Sequence, residues 1–458
     1  MIKNTRLRKI AYLFSCLVFL CINLTGCGNY VIEDLKNGDF TKAMIEIIEG
    51  EPWESAQERI EKDQTIIRNS VDSNEETSLN EEEKEPKKEQ ESSIDKEAEP
   101  KEENEDLKAD FSDFSREALD AIRAKIDEED NYNFYYHQLS YEDKDLYAQL
   151  YKIITELNSN VKLITNNADK VDEVFLCVIN DHPELFYITG YSMNKYMIGH
   201  SIDYLEFSGT YTRTKEEIEQ DLEKINDYSS ECLALVGNGD DYSKVKYIYE
   251  YIIKNTEYDI NSVDNQNILS VFLNGRSVCQ GYAKASQYLL DIAGIPCILV
   301  SGTVNNGESH AWNMVKADGK WYYLDTTWGD ASYSGSADVK VPEVSYDYLC
   351  TNSYWMNKTH HVKTKYRLPE ANSLDDFYYV KEGTYFTWYD EDKLKNLIVE
   401  YTNSGKSELT IKCEGAECYH EIIHELFDNE RAFDLFYGKT NLHYVRMDDQ
   451  FSITFYLV

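Results

Sequence analysis

The spacing of apolar residues divides most of the chain beyond residue 110 into helices and strands. Apolar positions repeat every three to four residues where one face of a helix packs on a core. This spacing predicts helices at 115–126, 146–157, 168–179, 215–228, 242–255 and 279–293. Short apolar runs bounded by turn residues predict strands at 185–191, 202–212, 295–302, 309–315 and 321–326. Helices and strands in mixed order predict an α+β fold class.

The regions on either side of residues 215–365 are predicted to be smaller α+β domains. Residues 111–214 contain three of the predicted helices and two of the predicted strands. In residues 366–458 the pattern predicts strands at 385–388, 396–401, 409–413, 443–447 and 451–457 and a helix at 418–429. Both regions have a common domain size. The pattern therefore predicts three folded domains, with boundaries near residues 214 and 365.

Cys279 occupies the first position of the helix predicted at 279–293. Gly294 and Pro296 follow that helix and supply its stop signal. Unsatisfied N–H groups at a helix N-terminus carry partial positive charge, which favours a thiolate over a thiol. Taken alone, such a cysteine is more often a small buried residue. A catalytic interpretation therefore depends on the residues that follow it in the chain.

His310 and Asp325 fall on two predicted strands joined by Asp318-Gly319, a pair that is typical of hairpin turns. Neighbouring antiparallel strands can bring an imidazole and a carboxylate together. A carboxylate that holds one imidazole nitrogen leaves the other nitrogen to take the proton of a thiol. The order Cys279, His310, Asp325 therefore predicts a nucleophile, a base and the group that orients the base.

Four short blocks in this region resemble the transglutaminase-like superfamily of papain-type thiol enzymes. They are Val278-Cys279-Gln280-Gly281-Tyr282-Ala283, Gly294-Ile295-Pro296, Ser309-His310-Ala311-Trp312-Asn313 and Trp321-Tyr322-Tyr323-Leu324-Asp325-Thr326-Thr327-Trp328. The resemblance covers roughly residues 215–350. It implies a papain-like, transglutaminase-like core in which N-terminal helices pack on an antiparallel sheet, flanked by the two smaller domains.

The resemblance implies that Cys279, His310 and Asp325 form a catalytic triad that needs no metal or organic cofactor. The Cys279 backbone N–H is expected to bind the oxyanion. Four other side chains are candidates for a second oxyanion donor or for the wall of the cleft: Gln280, Asn274, Trp312 and Trp328.

The triad predicts attack of a thiolate on a peptide or glutamine-type amide, giving an acyl-enzyme. Release by water would make the protein a protease or deamidase, and release by a lysine amine would make it a crosslinking enzyme. We favour hydrolysis because bacterial members of the resembled family that contain the His-Ala-Trp-Asn block look similar to peptidases. The alternative from another class is a catalytically silent scaffold that presents the flanking domains to cell-surface partners.

A second motif, His420-Glu421-Ile422-Ile423-His424, has the pattern of zinc proteases. Two histidines one helical turn apart can share a metal ion, with the intervening glutamate as general base. Phe427 stands where the longer form of this motif has a glycine, and 34 residues (458 − 424) follow His424. We therefore rank a zinc metallopeptidase third, and interpret these side chains as the exposed face of a helix.

The N-terminus has the pattern of an exported bacterial lipoprotein. Four basic residues precede an apolar run at 10–22, which is shorter than the ~20 residues that a membrane-spanning helix requires. Leu24-Thr25-Gly26-Cys27 resembles a lipobox, which predicts a signal peptide at 1–26 and lipidation of Cys27. Residues 27–110 are rich in charge and poor in apolar side chains, so they predict a disordered acidic stalk.

Composition changes this picture in two respects. The formal net charge of −38 argues against nucleic acid as a partner, because like charges repel. The expected partners are a protein or peptide substrate, associated with the cell wall, and the membrane through the N-terminal lipid, at the outer face of the cytoplasmic membrane. The cysteines have no spacing typical of a disulfide framework, although Cys413 and Cys418 are close enough in sequence for a local bridge.

Overall fold

The computed structural model of the chain describes residues 114–128, 132–237, 239–330, 342–436 and 442–457. These residues belong to one compact unit. The predicted signal peptide, Cys27 and the acidic stalk lie outside the described residues. Among the described residues, no helix combines the length and the apolar character needed to cross a membrane.

Helices and strands of the described residues confirm the α+β fold class. The α-helices are α1 Arg116–Glu128, α2 Phe134–His137, α3 Tyr141–Thr155, α4 Ala168–Asp181, α5 Lys215–Val236, α6 Asp241–Asn255, α7 Cys279–Ile292, α8 Thr326–Gly329, α9 Ser353–Met356, α10 Tyr378–Lys381, α11 Glu391–Asn403, α12 Ala416–Ile423 and α13 Arg431–Leu435. The strands are β1 Val161–Lys162, β2 Ile188–Ile198, β3 Ser201–Tyr211, β4 Glu257–Tyr258, β5 Arg276–Ser277, β6 Cys297–Val304, β7 Ser309–Ala317, β8 Lys320–Leu324, β9 His360–Val362, β10 Tyr385–Phe386, β11 Glu408–Cys413, β12 His443–Met447 and β13 Ser452–Tyr456.

The central sheet has the strand order β8-β7-β6-β9, and every neighbouring pair in it is antiparallel. The hairpin between β7 and β8 turns at Asp318 and Gly319, which both have positive φ, 46° and 83°. A two-residue turn of this kind matches the twist of the strands it joins. The strand that carries His310 therefore lies directly beside β8, as the sequence predicted. The predicted strand at 321–326 was too long at its end, because β8 stops at Leu324 and Asp325 caps the helix that follows.

Helices α5, α6 and α7 precede this sheet, and their starts follow from local capping. Thr214 and Glu217 form a reciprocal capping box at the start of α5. The Asp240 carboxylate caps α6 by accepting from the Ser243 N–H at 2.9 Å. These caps fix where each helix begins, which in turn fixes which face of the helix is buried.

The hydrophobic core extends across the N-terminal helices and the central sheet. One contiguous buried cluster contains residues from Ile126 to Ala371. Two hydrogen bonds join the same parts of the chain: the Tyr135 hydroxyl donates to the Leu299 carbonyl at 2.5 Å, and Gln287 Nε2 donates to the Asn180 carbonyl at 2.9 Å. A second buried cluster holds the C-terminal elements together. The domain boundaries at 214 and 365 stay predictions.

The C-terminal region has a four-stranded sheet of order β10-β11-β13-β12. One predicted strand in this region, 396–401, was wrong because these residues belong to helix α11. Asp390 caps that helix by accepting from the Lys393 N–H at 2.9 Å. The apolar residues buried in α11 have helical spacing and are Leu394, Leu397, Ile398 and Tyr401. The apolar run suggested a strand, but the cap and this period select a helix.

Candidate functional site

Cys279 is the first residue of helix α7 and is partly exposed. The seven cysteines of the described residues are free thiols, and the other six are buried. The proposed local bridge between Cys413 and Cys418 is therefore not formed. At the N-cap of α7, Val278 has extended backbone and its side chain makes no cap hydrogen bond. The first N–H groups of the helix thus lie beside the one thiol of this set that solvent can reach.

Close packing behind the first turn of α7 positions this thiol. Gly281 has no room for a side chain, since a Cβ would lie 2.0 Å from Ser277 Oγ and 2.9 Å from the Asn265 carbonyl oxygen. Ser277 is itself held by a hydrogen bond of 2.6 Å between its Oγ and Ser270 Oγ, and it donates to the Asn265 carbonyl at 3.1 Å. The start of the helix is therefore seated directly on the segment before it.

Strand β7 packs against the same helix. Ala311 of β7 shares a small buried cluster with Ala283 of α7 and Leu299 of β6. Two residues further along the strand, Asn313 Nδ2 donates to the Ala283 carbonyl at 3.0 Å. Small side chains and this hydrogen bond bring α7 close to the strand that carries His310.

Asp325 follows the end of β8 and uses both carboxylate oxygens. Oδ1 caps helix α8 by accepting from the N–H groups of Thr327 at 2.8 Å and Trp328 at 3.1 Å. Oδ2 accepts from His310 Nε2 at 2.7 Å. The Asp325 and His310 side chains are 1% and 0% exposed. The structure therefore brings two of the three predicted triad residues into direct contact and leaves His310 Nδ1 as the nitrogen that is not bound to Asp325.

A second histidine, His360, bonds to the same oxygen of Asp325. Its Nε2 lies 3.0 Å from Oδ2, and the ring is buried. His360 begins β9, which pairs with β6 on the side away from β7. The sequence analysis missed this residue because it lies 35 positions beyond Asp325. The sequence signal for this residue is the pair His360-His361, which could have been assigned to a fourth strand of the central sheet.

The two imidazoles decide the charge state of Asp325. Burial alone would raise the pKa of this carboxyl, but the attraction and hydrogen bond from His310, and then from His360, outweigh burial and hold the pKa well below its usual range. For His360 itself, burial is the largest effect and lowers the pKa below 6.5, against the opposing attraction of Asp325. At neutral pH the site therefore contains a carboxylate and an uncharged His360.

The other predicted site residues lie at different depths. Gln280 is partly exposed beside Cys279, whereas Asn274 is exposed and donates through Nδ2 to the Val263 carbonyl at 3.3 Å. Trp312 is buried and Trp328 is partly buried, with ring centroids each 5.9 Å from that of His310. Among the described residues, neither indole N–H has a hydrogen-bond partner. The two tryptophans therefore form apolar walls around the imidazole.

Two groups of residues could be considered for a metal ion. In the described part of the chain, the one cluster of three metal-capable side chains is His310, Asp325 and His360. Their N–O distances of 2.7 Å and 3.0 Å are those of hydrogen bonds, and Nε2–H protons account for both contacts. We therefore interpret the cluster as a hydrogen-bonded group.

The histidines of the HEIIH motif are exposed at the surface of α12 and the turn after it. Glu421 accepts from the Tyr389 N–H at 3.2 Å, and His424 Nδ1 lies 3.0 Å from Asp428 Oδ2. Ile422 and Leu426 point into the C-terminal core. These contacts are those of an ordinary amphipathic helix.

The segment that contains Cys279, His310 and Asp325 matches a known protein family. The family model described as "Transglutaminase-like superfamily" matches residues 233–326. That segment runs from the end of α5 to the start of α8 and contains all three residues. Residues 233–326 form a transglutaminase-like core. The resemblance seen in the sequence is therefore confirmed.

Two curated relatives match part of this chain. The Kyphoscoliosis peptidase of Homo sapiens is 26% identical over 156 residues, which are 28% of this chain and 23% of that protein. The protein of the same name from Mus musculus is 27% identical over 124 residues, which are 24% of this chain and 18% of that protein. The chain thus matches less than a quarter of the length of either relative.

Two solved structures align with about a third of this chain. One, a crystal structure of a TGase, is 19% identical, with 34% of this chain and 48% of that chain aligned and a TM-score of 0.24. The other is the periplasmic domain of TgpA from Pseudomonas aeruginosa bound to ethylmercury. It is 14% identical, with 30% of this chain and 65% of that chain aligned and a TM-score of 0.19.

Proposed function

We propose that the chain is a surface-anchored thiol enzyme that cleaves peptide or glutamine-type amide bonds through Cys279, His310 and Asp325. The observation that carries the proposal is the buried hydrogen bond from His310 Nε2 to Asp325 Oδ2 at 2.7 Å. That bond leaves Nδ1 to exchange a proton with a thiol, and the first turn of α7 supplies such a thiol in partly exposed form. A transglutaminase-like core is the setting in which this arrangement is expected.

The chemistry follows from these positions. The Cys279 thiolate attacks the amide carbonyl carbon, and the carbonyl oxygen becomes an oxyanion beside the N-terminus of α7, where the Cys279 N–H can donate to it. The C–N bond then breaks while the His310 imidazolium gives its proton to the departing amine. Asp325 stabilises the imidazolium and fixes which nitrogen carries the proton. The result is a thioester between Cys279 and the acyl part of the substrate.

We propose that water releases the acyl group. His310 takes a proton from the attacking water and becomes imidazolium again, and the C–S bond then breaks to release Cys279 as a thiolate, so the enzyme ends in its starting state. The two curated relatives bear the name peptidase, which supports hydrolysis over transfer to a lysine amine. Protein or peptide chains near the cell wall are the proposed substrates, and the lipid on Cys27 is the proposed anchor at the outer face of the membrane.

The pH dependence of Cys279 alkylation tests this function without a known substrate. An unperturbed thiol titrates near pH ~8.5, whereas a thiolate paired with imidazolium reacts well below that. We expect iodoacetamide to label Cys279 of the full chain rapidly at pH ~6, and His310→Ala to slow that labelling at least about tenfold. Peptide mapping identifies the labelled cysteine. An ordinary thiol titration, equal in both proteins, would reject the enzyme and favour the silent scaffold.

A further inference from the structure

His360 has surroundings that a merely space-filling residue does not need. Its Nε2 binds Asp325 Oδ2 at 3.0 Å, and its Nδ1 lies 2.8 Å from the Thr359 hydroxyl. Both ring nitrogens are therefore engaged, one by a carboxylate and the other by a group that can donate. An imidazole held at both nitrogens has one fixed orientation and one fixed tautomer.

The tautomer follows from the two partners. A carboxylate can only accept, so Nε2 of His360 must carry a proton. The Thr359 hydroxyl lies 3.4 Å from the Met356 carbonyl but only 2.8 Å from Nδ1, so Nδ1 is its nearer acceptor, and a bond donated to Nδ1 completes an uncharged ring. The lowered pKa of His360 agrees with this uncharged form at neutral pH. His360 is therefore a neutral donor to Asp325 rather than a second cation in the site.

An aromatic enclosure holds the His360 ring on the carboxylate. The centroid of the ring lies 4.6 Å from that of Trp328, 5.0 Å from that of Trp312 and 5.6 Å from that of Tyr348. Strand β6 separates β9 from β7, and Gly302 of β6 leaves the space that the Trp312 ring occupies, since a Cβ there would lie 2.6 Å from that ring. The enclosure excludes water, which strengthens the hydrogen bonds inside it.

Sharing of Oδ2 between two donors has a chemical consequence for His310. A carboxylate whose charge is concentrated on one imidazole stabilises the imidazolium strongly. A second donor on the same oxygen draws part of that charge away, so the imidazolium is held less tightly. His310 must both keep a proton beside the thiolate and release it to the leaving amine, so its proton affinity has to lie between these two demands.

We propose that His360 is a positioning residue that holds Asp325 and sets the proton affinity of His310 by sharing the Asp325 carboxylate. This inference rests on the proposed function of the Cys279, His310 and Asp325 group. In this proposal His360 acts on His310 through the Asp325 carboxylate that both imidazoles contact. The titratable groups that face its ring are Asp325 after β8, His310 on β7, Tyr348 before α9 and the adjacent His361 on β9.

The test compares two substitutions of different chemistry. His360→Phe keeps a buried ring but removes the donor. His360→Gln keeps a neutral N–H donor near the position of Nε2 and cannot gain a charge. The readout is the rate of Cys279 alkylation by iodoacetamide between pH 4 and 10 in the full chain. In a thiolate–imidazolium pair this profile has two inflections, and the alkaline one reports loss of the His310 proton.

We expect His360→Phe to move the alkaline inflection upward by about half a pH unit or more, because Asp325 then acts on His310 alone. His360→Gln should keep the inflection within about 0.2 pH units of wild type. A purely structural role would lower the thermal unfolding midpoint of either variant and leave the inflections in place. Unchanged inflections in a folded His360→Phe protein, or equal shifts in both variants, would overturn the proposal.

Thr359→Val keeps the inference testable if His360→Phe does not fold. This change preserves shape and removes the hydroxyl that holds His360 Nδ1, so we expect a smaller shift in the same direction. No shift in a folded Thr359→Val protein would count against the proposal. The proposed function fails differently: wild type would then show a single thiol titration that His310→Ala does not alter, and the alkaline inflection would be missing from every variant.

Discussion

Lys412 and Asp347 form an ion pair that is closed to solvent, with Nζ 2.6 Å from Oδ1 and side chains that are 0% and 3% exposed. Lys412 also donates to Gln450 Oε1 at 3.0 Å, and Gln450 Nε2 donates to the Tyr348 hydroxyl at 3.2 Å. The Tyr348 ring packs on His360. A buried polar chain therefore joins the C-terminal sheet to the aromatic enclosure of the site.

The Lys412–Asp347 ion pair is expected to stabilise the fold. Lys412→Met should lower the free energy of unfolding by about 3 kcal/mol or more, because Asp347 is left buried without its counter-charge. The matched control is the double variant with Asp347→Leu, in which no charge is left unpaired and much of the loss should return. Urea-induced unfolding at pH 7 measures both proteins. Equal losses in the single and double variants would show that packing, and not charge, accounts for the effect.

Gly281→Ala should disturb the nucleophile directly. The added Cβ would overlap Ser277 Oγ at 2.0 Å, so the first turn of α7 must move. We expect a loss of about 1–3 kcal/mol in unfolding free energy, together with slower alkylation of Cys279 at pH 6. Gly190→Ala in strand β2 is the matched control, because no atom lies within 4 Å of the added Cβ. A Gly281→Ala protein with wild-type labelling would contradict the close seating of this helix.

Much of the central fold could be predicted because its signals are local. Two residues, Asp318 and Gly319, specify the hairpin between β7 and β8. Helix α7 follows from the helical spacing of its apolar residues and from the stop signals after its last turn. These local signals also placed His310 and Asp325 on adjacent strands. The pairing that brings the two residues together is local in sequence, because β7 and β8 are consecutive strands of one hairpin.

The parts that sequence reasoning missed depend on long-range contacts. His360 reaches Asp325 because β9 pairs with β6 and not with β8, and no local pattern specifies which strand it joins. The error at 396–401 has another cause. Ile398 and Val399 favour strands by their branched side chains, but burial of one helical face decides the outcome in α11. Tertiary packing selected between two structures that the local sequence allows.

Lipidation of Cys27 is a separate prediction that rests on the lipobox pattern. We expect membrane-extracted protein to lack residues 1–26 and to carry a mass increment of lipid on Cys27. Cys27→Ser should remove that increment and release the protein from the membrane fraction. Intact mass spectrometry of both proteins measures the difference. Wild-type protein that retains residues 1–26 would contradict the lipoprotein interpretation.

Asp325→Asn should weaken the thiolate without removing the nucleophile. The amide carries no charge to stabilise the His310 imidazolium, so the pKa of that imidazole falls and less thiolate forms at pH 6. We expect alkylation of Cys279 at pH 6 to fall at least about tenfold. Labelling of the unfolded protein in urea, where all thiols behave alike, is the control for reagent and concentration. Labelling at the wild-type rate would show that Asp325 does not support formation of the Cys279 thiolate.

The same substitution should change how stability depends on acid. Because the pKa of Asp325 is lower in the folded than in the unfolded protein, the carboxylate stabilises the fold above the unfolded pKa of about 3.8, and this contribution is lost as the pH falls towards the folded pKa. His360 acts in the same direction at higher pH, since its pKa is lowered from 6.5 and the unfolded chain takes up that proton first.

Wild type should therefore lose unfolding free energy between pH 7 and 5 through His360, and again below pH 4 through Asp325. Asp325→Asn should lack the second loss and His360→Gln the first. Urea unfolding from pH 3 to 7 distinguishes them, and parallel curves for all three proteins would show that neither group controls acid stability.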